Sequence, residues 1–454
     1  MGKLCRLKIF VLAVVLVVAL VFIGFNLVEA QVKVTKGKTL GRPPKSICNN
    51  NGNCEWEEYN SNGRQSCSDC LPKTYNPLGI NEGTLQIVTT SHSKVYQYKY
   101  VESEGRYHDT WASNEIGSVG RATSVGDADN DGLKEIITIV NYLVGEAGKG
   151  RNKKKIYDQK IIIFEDGCQD GNPDWESPYL GEYTSTVKDL IIADVDDDNE
   201  NEIVILKGRH IEIFKITQID GSYIFGREYD NISTEYENII YTIDVGDADN
   251  DGKNEIVLAM FYTGAPIILN YENGVWEEIT AEPIDVHNPI LDFLGIDVAK
   301  VKDADNLKDE YGLLDNEIIA GGNNNRLMIW KYDKTSDVYK SEFISDDLGG
   351  FTQGVDAGDI DGDGKNEIAI ASSYYNDTLY IYKYEDNSYQ LKTWILRDGS
   401  DIGLEVGDID NDGRAEIVSS TKGITVFDFI GDDFIDGYLE KTYNCVFGSY
   451  LKIN

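Results

Sequence analysis

The 454-residue chain is poor in the residues that most chemistry uses: it has four histidines, three methionines and nine prolines. His92, His108, His210 and His287 are scattered, with no metal-ligand spacing between any two. A G-x-S-x-G nucleophile elbow, a phosphate-binding P-loop and an H-E-x-x-H zinc helix are all missing. The usual serine-hydrolase, nucleotide-dependent and metalloprotease motifs are thereby excluded, and no catalytic residue is expected. No helical period of 3.6 residues is seen after residue 30, which argues against a helical or α/β fold. Positive charge is scarce too: 42 Lys and Arg face 78 Asp and Glu, a net charge of −36. A surface of that sign repels nucleic acid and anionic membranes, so neither is expected as a partner.

The acid that is present is organised. The pattern Asp-x-Asp-x-Asp-Gly-x-x-Glu appears as DADNDGLKE from Asp127, DADNDGKNE from Asp247, DIDGDGKNE from Asp359 and DIDNDGRAE from Asp408. Looser copies begin at Asp194 (DVDDDNENE) and Asp303 (DADNLKDEYGLLDNE). A regular recurrence at this spacing marks a repeat architecture. Carboxylates at positions 1, 3 and 5, a carbonyl at 7 and a closing Glu offer oxygen ligands alone, which suits calcium better than zinc, copper or magnesium. The first copy supplies Asp127, Asp129, Asp131, the Leu133 carbonyl and Glu135. The second supplies Asp194, Asp196, Asp198, Glu200 and Glu202, and the third Asp247, Asp249, Asp251, Lys253 and Glu255. In the fourth, Leu307 replaces the third Asp, leaving Asp303, Asp305 and Glu317, with Asp309 or Asp315 as substitutes. The fifth supplies Asp359, Asp361, Asp363, Lys365 and Glu367, the sixth Asp408, Asp410, Asp412, Arg414 and Glu416. Gly132 takes the sharp turn in the first copy, and Asn199, the next best residue for left-handed backbone, takes it in the second. An EF-hand differs in placing its Glu at position 12 between helices.

Each closing Glu opens a short β-branched run (EIITIV, EIVILK, EIVLAM, EIIAGG, EIAIAS, EIVSST) that reads as a buried strand. An aromatic strand follows: IIIFEDG, IEIFKIT, PIILNYEN, LMIWKYD, LYIYKYED and ITVFDFIG. A weaker fourth strand often carries Trp (Trp175, Trp276, Trp394). Loop plus four strands makes one blade of a β-propeller. Residues 85–91 and 95–102 repeat the middle strands without an acidic loop, and Trp111 stands where the fourth-strand Trp is expected. Seven blades are therefore expected, with the tail from Val446 supplying the missing strand and closing the ring. The competing arrangement is a six-bladed ring with an extra hairpin.

These repeats resemble FG-GAP/VCBS repeats, the units of integrin α-subunit propellers and of many prokaryotic surface proteins. The resemblance covers about residues 80–454 and rests on Asp127, Asp247, Asp359 and Asp408 with their partners. Phe-Gly and Gly-Ala-Pro elements are mostly absent, apart from Gly264-Ala265-Pro266, which places the chain nearer the prokaryotic branch. It implies calcium bracing the blades and ligand binding on a propeller face or rim.

At the N-terminus, Lys3, Arg6 and Lys8 precede an apolar run from Ile9 to Phe25 and a Val28-Glu29-Ala30 cleavage site. Residues 1–30 read as a secretory signal peptide or, uncleaved, a membrane anchor. Residues 31–47 read as a linker, and 48–70 as a cysteine-rich module. In an oxidising compartment Cys48, Cys54, Cys67 and Cys70 form two disulfides, with three pairings open; a zinc site is the alternative. Lys149, Arg151, Lys153, Lys154 and Lys155 form one basic island, a solvated loop or a contact for an acidic partner. Asn231 and Asn376 open glycosylation sequons, and Tyr374 and Tyr375 could stack on sugars.

The function expected is that of an exported, calcium-binding surface or secreted protein that binds or adheres to an extracellular protein or glycan. A lectin is the alternative, and a polysaccharide lyase or hydrolase carried on the propeller is a third.

Overall fold

The computed structural model describes residues 85–453 except 92, 148–153, 166–170, 181–186, 208–209, 220–221, 234–239, 261–263, 284–295, 308–314, 374–376, 397–402, 421–423, 430–437 and 444–449. The signal or anchor, the linker, the cysteine-rich module, His92, His287, Asp309, Tyr374, Tyr375, Asn376 and the basic residues 149–153 lie outside the described residues. Among the described residues no helix is long and apolar enough to cross a membrane.

The described residues form seven four-stranded antiparallel sheets. The first blade holds Ile87–Ser91, Lys94–Val101 and Arg106–Ala112, and its innermost strand is Tyr450–Ile453 from the other end of the chain. Ile87 pairs with Ile453 and Thr90 with Tyr450, so the tail closes the ring as expected, and the six-bladed alternative fails. Closure of this kind leaves no open edge between first and last blades. The remaining blades run in chain order, each from an innermost strand outward: Ser118–Gly126, Val187–Ala193, Ile240–Gly246, Ile296–Lys302, Phe351–Gly358 and Gly403–Gly407 are the innermost strands. The second strands start at Glu135, Glu202, Glu255, Glu317, Glu367 and Glu416, the closing residues of the acidic loops.

The core sits between blades. Val88, Val95 and Trp111 of the first blade pack with Ile136, Ile162 and Phe164 of the second. Ile87, Tyr98 and Tyr107 pack on its other side with Val418, Ile424 and Val426 of the seventh. A strand sandwiched in this way is apolar on both faces, which is why Glu202–Lys207 and Glu317–Gly322 are buried throughout instead of alternating. Close approach near the axis requires small residues. A Cβ on Gly358 would stand 2.7 Å from the Val406 side chain, and one on Gly246 3.0 Å from Val301.

Charged groups also line the axis, which the sequence pattern did not suggest. Asp244 accepts the Val301 N–H at 2.8 Å, and Asp356 accepts the Val406 N–H at 2.8 Å, so each carboxylate ties its blade to the next. The remaining oxygens face lysines: Lys302 is 3.3 Å from Asp356, and Lys300 lies 3.4 Å from Glu405, two blades away. That last pair can meet only across the centre of the ring.

Candidate metal centres

Each acidic loop sits between an innermost strand and the second strand of its blade, and its backbone follows one plan. Position 4 is left-handed (Asn130, φ 63°; Asn250, 61°; Asn411, 60°), and so is position 6 in the five loops where that residue is described. Gly132, Gly252, Gly364 and Gly413 take position 6 at φ 84–94°, and Asn199 takes it at 64°, as its tolerance of that region predicts. These turns fold the loop around its own first carboxylate. Asp127 accepts the N–H groups of Asp131 and Gly132 at 3.0 Å each. Leu133, Lys253, Lys365 and Arg414, expected to give carbonyls, each donate an N–H to the Asp at position 5, at 2.8–3.0 Å.

The closing glutamates are buried and behave alike at one oxygen. Oε2 of Glu135, Glu202, Glu255, Glu317, Glu367 and Glu416 accepts the N–H of the residue at position 2, at 2.8–3.0 Å. Oε1 is then turned to the loop, and here the six copies divide. In the Asp194, Asp303 and Asp359 loops a lysine reaches it. Lys215 Nζ is 3.3 Å from Glu202, and also meets Asp198 and Glu200. Lys331 Nζ is 2.8 Å from Glu317 and 2.6 Å from Asp305, with Asp315 at 3.8 Å. Lys383 Nζ is 2.8 Å from Glu367, 2.7 Å from Asp361 and 2.8 Å from Asp363. Oε1 of Glu202 and Glu367 meets its lysine as an ion pair alone, without a counted hydrogen bond. In the Asp127, Asp247 and Asp408 loops, by contrast, Oε1 of Glu135, Glu255 and Glu416 has neither a hydrogen bond nor an ion pair among the described residues.

Register explains the division. The residue directly across the ladder from the closing Glu is Lys383 for Glu367. The same place, one step beyond Ile203–Phe214 and Ile318–Trp330, holds Lys215 and Lys331. One step beyond Ile136–Phe164, Ile256–Leu269 and Ile417–Phe427 stand Glu165, Asn270 and Asp428. Three loops therefore face an ammonium and three face an oxygen-bearing side chain.

Ligand atoms within 4.8 Å of one another come from Asp127, Asp129, Asp131 and Glu135, from Asp408, Asp410, Asp412 and Glu416, and from Asp247, Asp249 and Asp251. The same spacing holds for Asp194, Asp196 and Glu202, and for Asp303, Asp305 and Glu317. With carboxylates this close and buried, proton loss is costly. Burial, and after it the neighbouring carboxylates, push Glu135 up to about 9 and Glu416 to about 8. Burial and then Asp249 push Glu255 to about 8. Glu202 and Glu367 rise less, to about 7, because Lys215 and Lys383 offset part of the burial cost. Glu317 still reaches about 8 beside Lys331, because burial and Asp305 outweigh the lysine. The donor set fits a hard, oxygen-seeking divalent cation: all carboxylate, partly buried, and in three loops with a closing Glu Oε1 that neither a hydrogen bond nor a lysine reaches among the described residues.

The loops are also joined to one another. Asn130 at position 4 of one loop accepts the N–H of Asn201, at position 8 of the next, at 2.6 Å and donates to its carbonyl at 3.1 Å. Asn201 in turn donates to the Asp127 carbonyl at 2.8 Å. Asn250 with Asn316, and Asn306 with Asn366, repeat this latch. Both positions fall among the variable places of the acidic pattern, so the sequence pattern hid them. The signal was the recurrence of Asn at positions 4 and 8.

An FG-GAP-like repeat model matches residues 359–419, from the fifth acidic loop through the strands that follow it and the sixth loop into the second strand of the last blade. No curated protein matches the chain. Among solved structures, it is similar to a putative 6-phosphogluconolactonase from Bacteroides fragilis NCTC 9343, at TM-score 0.51 and 10% identity over 83% of this chain and 99% of that one. A putative 6-phosphogluconolactonase from Bacteroides uniformis ATCC 8492 is similar to the same degree, with TM-score 0.51, 10% identity, and 82% and 99% covered. At that identity the likeness is one of fold.

Proposed function

Because the chain belongs to the FG-GAP repeat propellers, we propose that it is an exported, calcium-braced propeller that binds an extracellular macromolecule. The observation that carries the calcium reading is the convergence of Asp127, Asp129, Asp131 and Glu135, and of Asp408, Asp410, Asp412 and Glu416, with Oε1 of each closing Glu buried and without a hydrogen bond. The Asp247 loop brings Asp247, Asp249 and Asp251 together, and Glu255 Oε1 is likewise buried and without a hydrogen bond. Calcium bound there neutralises carboxylates that otherwise repel; Asp127, Asp129, Asp131 and Glu135, with their equivalents, hold it. Repetition of the motif around one ring favours bracing over catalysis, and the role proposed is therefore not enzymatic. The basic, apolar and small-residue order of residues 1–30 supports export, to a compartment where calcium is plentiful.

Binding then falls to the faces and rim. The long hairpin Glu135–Ala147 and Lys154–Phe164 exposes Leu143, Val144 and Tyr157, an apolar surface that suits a macromolecular contact. Calcium-dependent pull-down from cell-surface extract tests this reading; a chain retained in the cytoplasm, or capture of nothing with and without calcium, contradicts it. A lectin is the second reading. It is favoured by Trp394, 56% exposed on the outer strand of the sixth blade, where an indole face can stack on a sugar ring. A glycan array in calcium separates the two. Polysaccharide turnover lost on replacing His210 or His287 by Ala would instead favour the lyase or hydrolase.

A further inference from the structure

We infer that the six acidic loops are two kinds of site: the Asp127, Asp247 and Asp408 loops take a divalent cation of calcium's size, while the Asp194, Asp303 and Asp359 loops carry their cation within the chain, as Lys215, Lys331 and Lys383. The inference rests on the calcium reading above and divides it. In the Asp359 loop the Lys383 ammonium stands 2.7–2.8 Å from one oxygen each of Asp361, Asp363 and Glu367. Calcium needs those same oxygens at about 2.3–2.6 Å. An ion there and the ammonium would occupy one place, and both are positive. Lys383 is itself buried, so it has no water to retreat to without breaking the packing around it.

In the other three loops the same oxygen of the closing Glu is buried with neither a hydrogen bond nor an ammonium beside it among the described residues, whereas Glu202, Glu317 and Glu367 each meet a lysine. The residue across the ladder there adds oxygen instead of positive charge: Glu165, Asn270 or Asp428. An unpaired buried carboxylate oxygen is costly, and a cation removes the cost. The grading differs from that of the motif alone, because the Asp359 loop has an unbroken motif and still falls in the lysine class.

Native mass spectrometry of the full chain, titrated with calcium chloride, tests the division. Three bound ions are expected, and five or six overturn it. No bound ion overturns the calcium reading itself, so the two failures are distinguishable. Two variants move the count in opposite directions. Asn270→Lys places an ammonium opposite Glu255 and should lower the count to two. Lys383→Asn removes one and should raise it to four, with a Tm that is low in chelator and restored by calcium. An Asn270→Lys chain that still binds three ions, or a folded Lys383→Asn chain that does not gain one, overturns the inference.

Discussion

The Asp359 and Asp408 loops sit in neighbouring blades and read DIDGDGKNE and DIDNDGRAE. Both close on a buried Glu whose Oε2 accepts a position-2 N–H, at 3.0 and 2.8 Å. They differ across the ladder, where Lys383 faces Glu367 and Asp428 follows the Ile417–Phe427 pair. One ammonium ion-pairs with Asp361, Asp363 and Glu367 of the first loop. In the second, Glu416 Oε1 is left without a partner. An acidic motif therefore defines a cavity for positive charge, and the next strand decides whether that charge is a side chain or an ion.

Chelation should produce the largest effect. At free calcium about a hundredfold above Kd, each site contributes about 2.7 kcal/mol, so three contribute on the order of 8 kcal/mol. Removing calcium should lower Tm by roughly 10–15 °C. A thermal melt unmoved by chelator and by added calcium breaks the comparison at its root.

Next come paired substitutions. Asp410→Asn should remove about a third of the calcium-induced rise in Tm, since one of three sites loses a ligand. Asp361→Asn should lower Tm in chelator and in calcium alike, by the equivalent of about 1.5–3 kcal/mol, because it removes one partner of a charged hydrogen bond. Equal calcium responses in the two variants would contradict the division.

pH should sharpen the contrast further. Glu135 is held at about 9 and Glu255 and Glu416 at about 8, against an ordinary value of 4.5. The folded, metal-free chain therefore holds more protons than the unfolded one between those values. Its stability from these groups is complete below about 4.5 and is lost as pH rises towards 8–9. Melts in chelator should give a lower Tm at pH 8 than at pH 6. Calcium, which replaces the protons, should flatten that slope; a Tm that rises with pH in chelator would go against it.

The smallest change expected is at the asparagine latches. Asn250→Ala removes the bonds to Asn316 and should cost about 1–2 kcal/mol by denaturant unfolding, with the calcium count unchanged. A loss of bound ions in that variant would mean that the latch, and not the ladder, governs occupancy.

Blade count and closure were legible in the sequence because they depend on local patterns. The run 85–91 matched a strand that follows a loop, the missing innermost strand was plain, and the tail from Val446 was the one unassigned β segment. Asn199 was legible for the same reason, as its left-handed turn is set by its own loop. What escaped depends on register between strands. Glu165, Lys215, Asn270, Lys331, Lys383 and Asp428 follow Phe164, Phe214, Leu269, Trp330, Tyr382 and Phe427 in the six third strands. Turns of unequal length separate them from the closing Glu, so their common position appears only once the ladder is formed. Lys300 and Glu405 lie still further apart in sequence and meet across the ring.

A crystal grown in calcium chloride, with anomalous scattering used to locate the ions, is the most direct measurement. Peaks are predicted inside the Asp127, Asp247 and Asp408 loops, with Lys215, Lys331 and Lys383 still seated among their carboxylates. A calcium peak bonded to Asp361, Asp363 and Glu367, with Lys383 displaced, would contradict the division.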